Sequence, residues 1–125
     1  MIERIETGIA PSAAPVSDAV KAGNQVWLVA IAEDPQSGDI VQGDIAVQTR
    51  RTIENLDIAV RAAGGTLADI VQVQVFLTDA ADAKGMNAVY AEFFTPPYPV
   101  RATVVVKALL AEGLRVEMLA TAMVR

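Results

Sequence analysis

Between Ile70 and Leu77 the chain alternates. Val71, Val73, Val75 and Leu77 fall on one side of a period-two pattern, with Gln72 and Gln74 on the other. That predicts a strand with one apolar face. Leu114 to Val124 alternates again: Leu114, Val116, Met118, Ala120 and Ala122 against Arg115, Glu117, Leu119, Thr121 and Met123. The second set turns apolar after Glu117, so both faces of that end are expected to be covered. Val26 to Ile31 is a short apolar run bounded by turn residues, and Ala102 to Lys107 is rich in Val. The first predicts a buried strand and the second a further strand.

A period near 3.6 governs two other stretches. Ile45, Thr49, Thr52/Ile53, Leu56, Val60 and Ala63 recur at helical spacing. Asp44 can cap that helix, and Gly64-Gly65 can stop it by taking the left-handed conformation after its last turn. Arg50 and Glu54 are spaced to form an i,i+4 pair. A second helix is expected from about Ala81 to Phe94, capped by Thr78 or Asp79, with Met86, Val89/Tyr90 and Phe93 as its apolar stripe. Thr95-Pro96-Pro97-Tyr98-Pro99 ends it and forces an extended entry to the next strand. Pro11-Ser12-Ala13-Ala14-Pro15 reads as an extended or turn segment, and Asp34-Pro35-Gln36-Ser37-Gly38-Asp39 as a turn.

Strands, helix, strand, helix, strands in that order predict an α/β sandwich, a mixed sheet with two helices on one face. Two helices cover one side of such a sheet. The Val-rich strands are too apolar for the other side to face water, so sheet-to-sheet packing in an oligomer is expected.

Composition narrows the chemistry. The 125 residues are 53% hydrophobic and form one domain, 1–125, with no linker or repeat. Cysteine and histidine are absent. Thiolate nucleophiles, iron–sulfur clusters, zinc ribbons and imidazole bases are thereby excluded. The net charge is -5, and Arg50-Arg51 is the only adjacent basic pair, a poor footprint for nucleic acid. The longest clean apolar run, Val26 to Ala32, is far below a membrane span. Charges in MIERIETG occupy the place of a signal peptide's apolar segment, which favours the cytoplasm.

Two side chains stand out for chemistry. Arg101 follows the Pro-rich segment and comes just before a Val-rich strand, a place from which a guanidinium can grip a carboxylate in bidentate fashion; position alone favours a surface ion pair. Glu117 is the one acid inside the last strand's apolar run. Burial there would raise its pKa and suit it to proton transfer; a solvent-facing strand residue is the plainer alternative. Asn87 and Tyr90 share the second helix, where Tyr90 is expected in the core and Asn87 in solvent. No phosphate-binding loop or EF-hand spacing is present.

Several segments together carry a resemblance: APSAAPVSDAV, EDPQSGDIVQGDIAVQTRRTIENL, VQVFLTDAADAKGMNAVYAEFF and PYPVRATVVVKALLAEGLRVEM. With them the chain resembles the RidA/YjgF family of small imine deaminases over nearly its whole length. The resemblance implies a six-stranded mixed sheet of chorismate-mutase-like form. It also implies a homotrimer whose sheets make a central barrel, with clefts at the subunit interfaces. The implied reaction is hydrolysis of enamines and imines such as 2-aminoacrylate to a 2-keto acid and ammonia, with no cofactor or metal. On this resemblance Arg101 holds the substrate carboxylate and Glu117 orients or activates water. Thr103 lines the cleft, and Asn87 stands behind it.

The chain departs from the family pattern at two places. Val16 replaces a Tyr, and Leu28-Val29-Ala30 replaces Ser-Gly-Gln. Val16 and Leu28 are therefore expected to give the cleft a greasier lining, suited to a bulkier or more apolar side chain than that of aminoacrylate. Two other functions compete: a small-carboxylate-binding module without turnover, and a ribonuclease or translation inhibitor, which the acidic balance and the lack of His disfavour.

Overall fold

The computed structural model describes residues 1–125. Its elements are β1 (Glu3–Arg4), β2 (Ala19–Ala22), β3 (Gln25–Ile31), α1 (Ile45–Ala62), β4 (Ile70–Leu77), α2 (Ala83–Phe93), β5 (Val100–Val105) and β6 (Val116–Met123). The strands form one six-stranded sheet in the order β1-β2-β3-β6-β4-β5. All pairs are antiparallel except β4 with β5. The connection through α2 makes that parallel pair possible, since a tight turn cannot.

Both helices pack on one face, as expected. From the strands Val26, Leu28, Ala30, Val73, Val75, Leu77, Val116, Met118, Ala120 and Ala122 enter the core, where they meet Ile53, Leu56 and Val60 of α1 and Met86 and Tyr90 of α2. The alternation in β6 is therefore read correctly from the sequence. In β4 it slips at the start. The pairing with β6 shifts between Ile70 and Gln72. This bulge turns Ile70 inward and leaves Val71 exposed.

α1 begins where Asp44 accepts a hydrogen bond from the Val47 amide at 3.0 Å. It ends where Gly64, at φ +93°, lets the Gly65 amide return to the Val60 carbonyl at 2.9 Å. α2 starts at Ala83, two residues later than the pattern suggests, because Ala80–Asp82 form a 3-10 turn with the Asp79 carboxylate accepting from the Ala81 amide. β5 runs earlier than expected, pairing from Val100 opposite Gln72 to Val105 opposite Leu77. The expected Arg50–Glu54 pair does not form. Arg50 reaches across to Glu92 on α2, with both carboxylate oxygens at 3.0 Å, and Arg51 takes Glu54.

The second face of the sheet carries Trp27, Val29 and Ile31 of β3, and Glu117, Leu119, Thr121 and Met123 of β6. Gln72, Gln74 and Phe76 of β4, with Val100, Ala102 and Val104 of β5, complete it; the cross-strand register aligns them. Trp27, Val100, Val104, Leu119 and Met123 are exposed on it. No helix is long and apolar enough to cross a membrane.

Candidate functional site

Of the seven arginines, five sit within 3.3 Å of a carboxylate oxygen. The other two are Arg101 and the last residue, Arg125. Arg101 shares its sheet face with Val73, its partner across the β4–β5 pair, and therefore points toward α2. Its Nη2 donates to Asn87 Oδ1 at 2.6 Å, and its Nη1 approaches Met86 Sδ at 3.9 Å. The guanidinium carbon lies 4.6 Å from the centroid of the Tyr90 ring. These neighbours are neutral, so the cation keeps most of its five N–H donors available for an anion. Beside it opens a cleft of about 320 Å³ lined by Asn87, Tyr90, Ala91, Tyr98, Pro99 and Arg101.

α2 supplies three of those neighbours because Met86, Asn87 and Tyr90 recur at helical spacing on one face. Asn87 is exposed, as the sequence reading expected, yet it is the side chain that receives the arginine. Tyr90 is 5% exposed and belongs to the core, but its ring also forms the floor under the guanidinium. Tyr98 was missed by sequence reasoning. Only its place directly after the Pro-Pro pair, before Pro99 and three residues ahead of Arg101, could have drawn attention to it.

Glu117 lies on the opposite face of the sheet. Its cross-strand partners are Ile31 and Phe76, and no hydrogen bond from another side chain reaches it. Burial against these apolar neighbours raises its pKa above the ordinary carboxylate value of 4.5. The strand ends around it are pinned from α1. Asn55 Nδ2 donates to the Ile31 and Glu33 carbonyls, both at 2.9 Å. Gln48 Nε2 donates to the Val41 and Gly113 carbonyls, and its Oε1 accepts from the Arg115 amide at 2.7 Å. Arg115 is locked by a two-bond pair with the buried Asp82, at 3.0 and 2.7 Å.

The remaining expected site residues separate. Thr103 shares the helix-side face with Arg101, two positions along β5, and is exposed. Val16 is 63% exposed on the loop before β2. Leu28 is corrected: at 2% exposure it is a core residue packed toward the helices and lines no open surface. The change that does reach the second sheet face is Val29, opposite Leu119. Strand parity explains the error, since neighbouring residues point to opposite faces. Within one chain, then, Arg101, Asn87 and Thr103 share one side of the sheet, and Glu117 stands on the other.

Known proteins share this chain's sequence pattern and its fold. The family model described as Endoribonuclease L-PSP matches residues 7–124. A RutC family protein of Pyrococcus horikoshii is 45% identical over 96 residues, 76% of each chain. The 3-aminoacrylate deaminase RutC of Acinetobacter baylyi is 39% identical over 95 residues, 75% of each. Among solved structures, RidA from the Antarctic bacterium Psychrobacter sp. superposes with a TM-score of 0.90 at 35% identity, covering 98% of this chain and 99% of the other. E. coli TdcF with bound serine superposes with a TM-score of 0.89, also at 35% identity, covering 98% and 99%.

Proposed function

Given that the chain belongs to the endoribonuclease L-PSP family, the RidA/YjgF proteins, we propose that it hydrolyses reactive 2-imino acids to 2-keto acids and ammonia. The observation that carries this reading is Arg101. It is a half-buried cation with no carboxylate partner, steadied by Asn87 and facing a cleft. A bidentate grip on a substrate carboxylate is the interaction such a guanidinium is prepared for. The relative named 3-aminoacrylate deaminase and the neighbour holding serine agree with a small, carboxylate-bearing ligand.

In the proposed reaction water adds to the C=N carbon. Glu117 orients that water and accepts its proton as the C–O bond forms. That proton passes to nitrogen to complete the carbinolamine, which then collapses: the hydroxyl proton is carried by way of Glu117 to the amino nitrogen, the C–N bond breaks, and ammonia leaves as the carbonyl forms. Nothing is oxidised or reduced. An imine is already electrophilic, so placement and one proton carrier supply most of the help needed. No step requires a cofactor.

Arg101 and Glu117 occupy opposite faces, so one chain cannot direct both at the same small molecule. This supports a homotrimer in which a cleft takes Arg101 from one copy and Glu117 from its neighbour. The exposed apolar residues of the second sheet face are the surface available for such packing. Val29, Ile31, Phe76 and Leu119 surround Glu117's position on that face, and they favour substrates with apolar side chains.

The test is direct. An amino-acid oxidase generates the imine in situ, and semicarbazide traps what remains. Wild-type protein should lower semicarbazone formation, with imines derived from leucine or methionine consumed faster than that from alanine. Arg101→Ala should abolish the effect. Unchanged hydrolysis in Arg101→Ala would overturn the mechanism, and carboxylate binding without turnover in the wild type would make the protein a binding module.

A further inference from the structure

Arg101 is held in place chiefly by what lies beneath it, and the floor is aromatic. The Tyr90 centroid is 4.6 Å from the guanidinium carbon, inside the range in which a cation is drawn to a ring face. Tyr90 in turn stacks on Phe94, with centroids 4.4 Å apart and planes at 24°. The stack leaves the ring little freedom to tilt. The Tyr90 hydroxyl is buried and has no hydrogen-bond partner. Burial keeps that hydroxyl protonated by raising its pKa, against the opposing pull of Arg101's charge. An unpaired buried hydroxyl is a cost to the fold, so whatever keeps the ring here lies in its face and not in its oxygen.

We infer that Tyr90 is a positioning residue for ligand binding: its ring face and the Asn87 carbonyl together fix the plane of the Arg101 guanidinium so that its free edge is presented to a carboxylate. This rests on the proposed role of Arg101 and extends it to a residue that otherwise reads as core. Asn87 fixes one nitrogen in the plane. A single hydrogen bond leaves rotation about itself open, and the ring closes that freedom. A guanidinium already oriented loses less entropy when it makes two parallel bonds to a carboxylate. A leucine at position 90 would fill the core but would leave the arginine free to tilt.

The experiment uses pyruvate as the probe and calorimetric titration of the intact oligomer. Tyr90→Phe should bind pyruvate as the wild type does, because the hydroxyl makes no hydrogen bond. Tyr90→Leu should weaken binding by about fivefold to tenfold, with a larger change in KM than in kcat for an imine substrate. Loss of packing could confuse Tyr90→Leu, so a second series keeps the shape. Phenylalanine at position 90 is fluorinated stepwise, which drains the ring face of negative potential with little change in volume. Affinity should fall with each fluorine while the melting temperature stays level. A flat series, in a protein where Arg101→Ala does abolish pyruvate binding, overturns the positioning role alone. If Arg101→Ala leaves pyruvate binding intact, or the wild type does not bind pyruvate, the reading of Arg101 fails and this inference fails with it.

Discussion

Glu117 carries a charge that its surroundings disfavour. Ile31 and Phe76 flank it, and burial pushes its pKa up from 4.5. The sign of the consequence follows from proton binding. Between pH 4.5 and the raised native value the folded protein holds a proton that the unfolded chain has released, so stability falls as pH rises through that window. Glu117→Gln should therefore raise the melting temperature at pH 7 and give less advantage at pH 4, as a thermal melt at each pH will show. The same variant should lose hydrolysis. Arg101→Lys is expected to fail as well, with pyruvate affinity reduced by about two orders of magnitude, because an ammonium cannot reproduce the bidentate fork. Calorimetric titration measures this. Both residues stand out in the sequence, one as a cation after a rigid segment and one as an acid in an apolar strand. Their relation does not. Which face each occupies depends on strand register, and a shift of one residue moved the expected lining from Val29 to Leu28.

Among the elements, α1 is the most fully legible in the chain. Asp44, the apolar stripe and Gly64 mark its start, face and end, and all three do what their chemistry allows. What the pattern conceals is Gln48. A polar residue on the helix looks like surface, yet this one is fully buried and bonds the segment 113–115 and Val41. Gln48→Leu would strand three backbone groups. It should cost about 3 kcal/mol, read as a fall in melting temperature of about 10 °C. β4 shows the opposite failure: its alternation is clean in the sequence, and a bulge at Val71, invisible in composition, puts Ile70 inside in place of Val71. The Arg115–Asp82 pair also escapes sequence reading, since 33 residues separate its members. Removing one partner leaves the other's charge without its counterpart.

The whole molecule is a sandwich of two layers with one sheet face bare. One face of the sheet is covered by two helices, and the other presents Trp27, Val100, Val104, Leu119 and Met123. The pattern of the sequence announced that face, because strands apolar on both sides imply two coverings and the chain holds helices enough for one. Leu119→Glu places a charge in the middle of it. Light scattering coupled to size exclusion should report a trimer for the wild type and a smaller species for the variant, whose semicarbazide-trapped activity should fall in parallel. A wild-type monomer at micromolar concentration would remove the assembly.

The opposition of Arg101 and Glu117 across the sheet has a kinetic corollary. A catalyst assembled from two copies obeys mass action in itself as well as in its substrate. Turnover per chain would then hold constant at high protein concentration and fall away on dilution past the dissociation constant of the assembly. Mixing could also restore what mutation removes. Chains lacking Arg101 and chains lacking Glu117, each inert alone, would on exchange form some clefts with both residues intact.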